Sequence, residues 1–182
     1  MTLNGRRAAC VALSAFVVVA MPSCRPNVVG GRIATAELVD TAGRPVGTLS
    51  LRDAAGGSLR IDGRMRGLPA GTHGIHFHAV GRCEATGAFA SAGAHFNPAS
   101  RKHGLQSPDG PHAGDLPNLA IGADGTGGFR TNTTRVTLGG GAASLLDADG
   151  SAVVVHAAQD DQRTDPSGNS GARIACGVVV AR

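Results

Sequence analysis

Six histidines and one aspartate bound the chemistry this chain can do. His76 and His78 stand in Gly74-Ile75-His76-Phe77-His78-Ala79. In a strand, residues i and i+2 project from one face, so both imidazoles point one way and Ile75, Phe77 and Ala79 the other. Two adjacent imidazoles suit Cu, Zn, Fe or Ni, although two wet histidines on a solvated face write the same short pattern. His95, His103, His112 and Asp115 follow within 21 positions, in a stretch that carries Pro98, Pro108 and Pro111. Three imidazoles and a carboxylate complete a four-coordinate zinc set. A closed metal site would also supply the folding energy that a segment of this composition lacks. His156 ends the apolar run Val153-Val154-Val155, where an unpartnered polar ring is costly. Any one of these histidines alone reads as a satisfied core residue; six together read as ligands. His73 is the exception. Its parity sets it opposite His76 and His78, among buried side chains, and its expected role is structural.

Rigid carriers for these side chains are expected to be strands. In Ser58 to Arg66 every odd position is apolar or Gly and every even one polar, the pattern of a half-buried strand with one wet face. Val46 to Asp53 alternates in the same way, and Ile33 to Asp40, Gly71 to Val80, Ser151 to His156 and Ile174 to Ala181 are further strands. Turn signals lie between them at Ala42-Gly43, Gly56-Gly57, Pro69-Ala70-Gly71, Asp124-Gly125 and Asp149-Gly150. Two stretches break the rhythm, Cys83 to Asn118 and Gln159 to Gly171. Long loops inside a compact domain are usually functional or disordered, and the first of these holds three of the seven histidines. Short strands without a helical period predict an all-β sandwich or barrel.

Composition narrows the field further. The 182 residues fit one domain, and 28 Gly with 9 Pro show no G-X-Y period, which excludes collagen. With five Phe and neither Trp nor Tyr, the core must be aliphatic, and base-stacking surfaces have almost nothing to work with. Arg6 and Arg7 precede the uncharged run Ala8 to Met21, too short to span a bilayer in a helix but suited to a secretory signal. Residues 1–23 are therefore expected to be a signal peptide, 24–32 a linker and 33–182 the domain. Met21-Pro22-Ser23-Cys24 also resembles the end of a bacterial lipobox, with Met21 and Pro22 as departures. Lipidation of Cys24 and plain cleavage nearby both stay open. Without the leader, fifteen basic residues face thirteen acidic ones and form no run along the sequence, so no nucleic-acid partner is expected. Cys83 and Cys176 then remain as one pair in an oxidising compartment, where a disulfide is the default.

Taken together, Gly74-Ile75-His76-Phe77-His78, Gly93-Ala94-His95-Phe96-Asn97-Pro98, His112-Ala113-Gly114-Asp115-Leu116, Val155-His156 and Gly171-Ala172-Arg173-Ile174-Ala175-Cys176-Gly177 resemble copper/zinc superoxide dismutase of the exported bacterial type. The resemblance covers nearly all of the chain beyond the leader. It implies an eight-stranded antiparallel Greek-key β-barrel or sandwich with two long functional loops. It implies copper on His76, His78, His95 and His156, and zinc on His95, His103, His112 and Asp115, with His95 shared as imidazolate. Asp160 would link the two sites from behind the ligands, Cys83 and Cys176 would form the family disulfide, and Arg173 would guide the anionic substrate. The implied activity is disproportionation of superoxide to dioxygen and hydrogen peroxide by alternate reduction and re-oxidation of copper. His95 would pick up a proton, and zinc would hold the loop without redox change. The implied setting is periplasmic or cell-surface, with membrane contact only through a lipid on Cys24, as monomer or homodimer. The segment Gln159 to Ala172 is short and lacks Lys, so the lysine-based steering of other members is missing.

Overall fold

Alternation decides which residues of the first three strands face the core. In β1 (Ile33–Asp40) Ala34, Ala36 and Leu38 are buried, and Leu49 and Leu51 of β2 (Pro45–Ala54) and Leu59 and Ile61 of β3 (Ser58–Met65) join them from the same side. Each fully buried Leu or Ile contributes on the order of 1.5–3 kcal/mol. The computed structural model describes residues 31–182. The expected signal segment, Cys24 and most of the 24–32 linker lie outside those residues.

The remaining strands are β4 (Gly71–His73), β5 (Ile75–His78), β6 (Leu119–Ile121), β7 (Gly127–Thr133), β8 (Ala152–His156), β9 (Arg173–Val178) and β10 (Val180–Ala181). Eight of the ten form one antiparallel sheet in the order β5-β8-β9-β1-β2-β3-β7, with β10 on the side of β1. The sheet curls into a half-barrel, and the separate pair β4-β6 lies against its β7 edge, where a side chain at Gly127 would meet the Ala120 carbonyl. The expected all-β, eight-stranded architecture is what the chain adopts.

Three boundaries differ from the sequence reading. Gly71 to Val80 is two strands, because Gly74 exchanges its hydrogen bonds with Ala158 and His156 and passes the chain from one sheet to the other. A Cβ on Gly74 would stand 2.9 Å from that of Ser170 and 3.2 Å from that of Asp160. Ile174 to Ala181 likewise divides, into β9 and β10. Finally, β6 and β7 flank the Asp124-Gly125 turn as strands the sequence reading did not place; burial alternates along both, but in β7 only Phe129 and Thr133 are fully buried. Hydrogen bonding to β3 along seven residue pairs makes this segment a strand despite its Gly and Asn content.

β8 is buried along its whole length. Val153 and Val155 face the barrel interior, while Ala152 and Val154 pack outward with Phe89, Ala92 and Cys176 under the first long loop.

Candidate metal centre

β5 pairs with β8 on one side, and its other edge is taken up by the first long loop. Phe96 N–H donates to the Phe77 carbonyl (2.8 Å), Phe77 N–H to the Gly114 carbonyl (2.9 Å) and Gly114 N–H to the Phe96 carbonyl (2.8 Å). This pinning sets His95 opposite His78 and Asp115 opposite His76. Gly114 makes the close approach, since any side chain there would strike the Phe77 carbonyl. The period-2 rule holds as expected: Ile75 and Phe77 enter the core, while His76 and His78 point outward from the barrel wall with His156 beside them.

Two sets of four donor atoms result, each set with all its atoms within 4.8 Å of one another: His76, His78, His95 and His156, and His95, His103, His112 and Asp115. All seven residues are buried. In the second set, Asp115 Oδ1 lies 3.0 Å from His95 Nδ1, 3.1 Å from His103 Nδ1 and 3.4 Å from His112 Nδ1. A tetrahedral ion with bonds of about 2.0 Å needs donors roughly 3.3 Å apart, which is this spacing. In the first set His156 Nε2 and His78 Nε2 are 3.4 Å apart.

Orphaned nitrogens show that the cluster fits metal. His76 Nδ1, His95 Nε2 and His103 Nδ1 are buried with no hydrogen-bond partner, a costly state unless a cation takes each lone pair. The opposite nitrogen of most rings is occupied, which fixes the tautomer. His78 Nδ1–H donates to the Gly93 carbonyl (2.9 Å) and His156 Nδ1–H to the Gly171 carbonyl (3.1 Å), leaving Nε2 of each as the lone-pair atom. His76 Nε2 and His103 Nε2 both face Asp160, at 2.7 Å from Oδ2 and 3.0 Å from Oδ1. Asp160 therefore ties a ring of one set to a ring of the other.

The electrostatics of the two sets differ. Burial pushes the His78 and His76 rings below the ordinary imidazole range, His95 down to about 4 and His156 to about 3. Burial acts on His103 too, but the Asp115 and Asp160 carboxylates close against the ring outweigh it and raise it to about 9. Burial disfavours the charged forms of Asp115 and Asp160, yet the surrounding imidazoles hold both carboxyls well below their usual range.

Arg173 opens β9 directly opposite His156. Its Nη1 donates to the Phe89 carbonyl and its Nη2 to the Gly93 carbonyl, both at 2.6 Å. Gly93, at φ 76°, presents one carbonyl to both Arg173 and His78. The segment supplying those carbonyls is tethered by the disulfide Cys83–Cys176, with Cα atoms 5.6 Å apart. His73, as expected, stands apart from the metal sets: its Nδ1 lies 2.8 Å from the His156 carbonyl and its Nε2 2.9 Å from the Pro69 carbonyl. The reason is the change of sheet at Gly74, not parity along one strand. A surface groove of about 1000 Å³, lined by Arg64, Arg66 and Arg130 among others along β2, β3 and β7, contains none of these histidines.

Three supporting residues escaped the sequence reading. Asn118 exchanges two hydrogen bonds with the backbone of Asp160 (2.8 and 2.9 Å), and Asp165 Oδ1 accepts from His103 N–H (2.8 Å). Arg135 Nη2 donates to the Asp115 carbonyl (2.6 Å). Each contact joins residues from 20 to 62 positions apart, and no local spacing announces it.

The family model described as copper/zinc superoxide dismutase (SODC) matches residues 46–179. A superoxide dismutase [Cu-Zn] of Caulobacter vibrioides is 44% identical over 149 residues, spanning 80% of this chain and 84% of that protein. Superoxide dismutase [Cu-Zn] 2 of Aquifex aeolicus is 42% identical over 148 residues, spanning 80% and 85%. The crystal structure of a SOD-like protein from Bacillus subtilis superposes with a TM-score of 0.76 at 40% identity, covering 80% of this chain and 97% of that one.

Proposed function

The chain belongs to the copper/zinc superoxide dismutase family, and on that premise we propose how its residues divide the work of converting superoxide to dioxygen and hydrogen peroxide. Copper and zinc are its cofactors and superoxide its substrate. When bound, copper supplies the one-electron couple that takes an electron from one superoxide and gives it to a second, while zinc, being d¹⁰, supplies fixed charge and loop closure.

His76 Nδ1, His78 Nε2, His95 Nε2 and His156 Nε2 would hold copper; His95 Nδ1, His103 Nδ1, His112 Nδ1 and Asp115 Oδ1 would hold zinc. The observation that carries this reading is the single ring of His95, whose two nitrogens face different donor sets. When copper does not occupy it, His95 Nε2 would be the atom that accepts a proton and passes it toward the product. Asp160 orients His76 and His103 from behind. Arg173, a permanent cation anchored to two carbonyls beside His156, attracts and aligns the small anion.

Metal analysis and a superoxide-consumption assay on one purified sample test the assignment. One copper and one zinc per chain with turnover is the expected result. His95→Ala removes the shared ring and should abolish turnover, and unchanged turnover would overturn the reading.

Export is part of the same proposal. Residues 1–23 carry a basic start and an apolar run, and the disulfide suits an oxidising compartment such as the periplasm or cell surface. The enzyme would work there as a monomer or homodimer. Mass spectrometry of the mature N-terminus distinguishes lipid on Cys24 from plain cleavage.

A further inference from the structure

Besides its Oδ1, Asp115 is held at four points, three of them within the metal loop. Its Oδ2 accepts from Gly104 N–H (2.8 Å) and His112 N–H (2.9 Å), and its own N–H donates to the His112 carbonyl (3.3 Å). The fourth is the Asp115 carbonyl, which accepts from Arg135 Nη2 at 2.6 Å. Arg135 belongs to a different part of the fold, just beyond β7, the edge strand of the sheet. Its backbone is fixed there by a hydrogen bond from its N–H to Thr133 Oγ1 (3.2 Å) and by the buried neighbours Thr133 and Val136.

This guanidinium is expensive to keep. It is half-buried, its Nε is enclosed with no partner, and the Asp115 carbonyl is the one hydrogen-bond acceptor its side chain reaches among the described residues. Burial lowers its pKa, with the Asp115 charge acting in the opposite direction. A surface arginine would avoid that cost, and an apolar side chain would fill the same space without it. The arrangement makes sense if the contact itself is what matters.

The geometry points to Arg135 as a positioning residue for zinc, a strap from the sheet edge that fixes the Asp115 peptide and so aims Oδ1 at the three Nδ1 atoms. This rests on the zinc set proposed above. Asp115 is the one carboxylate in that set, so rotation of its peptide would carry Oδ1 away from all three imidazoles together.

The test compares Arg135→Met and Arg135→Gln with wild type for zinc affinity, copper affinity and metal-free thermal stability, using chelator competition. Zinc affinity should fall about 10- to 100-fold, as for other outer partners of metal ligands, with copper affinity changed less than about threefold. Metal-free stability is read on the same variants to separate a loss of zinc affinity from a general loss of folding. Cobalt(II) bound in place of zinc should show an altered visible spectrum in both variants. Arg135→Lys keeps a donor for the same carbonyl and should recover part of the lost zinc affinity. If Arg135→Met fails to fold, the polar Arg135→Gln carries the comparison. Zinc affinity within threefold of wild type in a folded variant would overturn the inference, as would equal losses of zinc and copper or a Lys variant as weak as Met. Wild-type protein that binds no zinc would instead overturn the site assignment on which it rests.

Discussion

Removing the Cys83–Cys176 bridge by a double substitution to Ala should affect stability and turnover through separate routes. The bridge spans 93 positions. The chain-entropy relation for a loop of that length gives about 4.6 kcal/mol of stabilisation at 25 °C by restricting the unfolded state. For a domain near 150 residues, each kcal/mol moves Tm by roughly 2–4 °C, so the expected fall is about 9–18 °C. Calorimetry on metal-free protein is the assay, because bound metal would mask the effect through linkage. The second route runs through Arg173. Its guanidinium hangs on the carbonyls of Phe89 and Gly93, which lie in the segment that Cys83 tethers to β9. Metal-loaded protein without the bridge should retain copper yet lose rate as Arg173→Ala does. A fall in Tm under about 3 °C would refute the entropy argument, and full turnover without the bridge would refute the positional one.

Arg173→Ala itself should lower the rate at low ionic strength and weaken its salt dependence while copper content stays at wild-type level, as read by metal analysis beside the activity assay. Asp160→Asn keeps the shape but presents an amide to His76 Nε2 or His103 Nε2, so zinc affinity should drop about 10- to 100-fold in chelator competition. Metal-free protein should be most stable near pH 6.5. His95 and His156, at about 4 and 3 when folded, bind protons more readily unfolded, so stability falls as the pH drops below 6.5. His103, raised to about 9, contributes stability that is complete below 6.5 and is lost as the pH rises through 9. A urea midpoint that rises steadily from pH 4 to pH 9 would contradict this.

What the sequence makes legible follows from the range of the interactions involved. β1 is found at its expected bounds, and β3 is within one residue, because alternation along one strand reports one buried face. The pairing of His76 with His78 is legible for the same reason. β7 is not, since Gly127, Gly128 and Asn132 have no strand signal of their own and the segment is recruited by β3. The division at Gly74 is set by what crowds it, the side chains of Ser170 and Asp160, nearly a hundred positions away. Ligand types show in the sequence, whereas their supports do not. Asn118, Asp165 and Arg135 each act on a ligand or on Asp160 through contacts that exist only once the long loops have closed.

That closure also explains why the two donor sets suit different ions. The set proposed for copper is four imidazoles with no carboxylate among the donors, and burial disfavours protonation of every ring in it. A nitrogen cage of this kind, with no carboxylate, accommodates an ion that must be stable with either one or two charges. The set proposed for zinc includes Asp115, with Asp160 against the rear of His103. Two negative charges at that end favour an ion that stays at two charges throughout. The same carboxylates raise His103 where burial alone would lower it, so the difference between the sets is already written in the protein's own electrostatics. His95 lies where these two environments meet. Its Nδ1 is beside a carboxylate and its Nε2 is among the other imidazoles, so on the proposed assignment one ring would answer to charge changes on the copper side while remaining anchored on the zinc side.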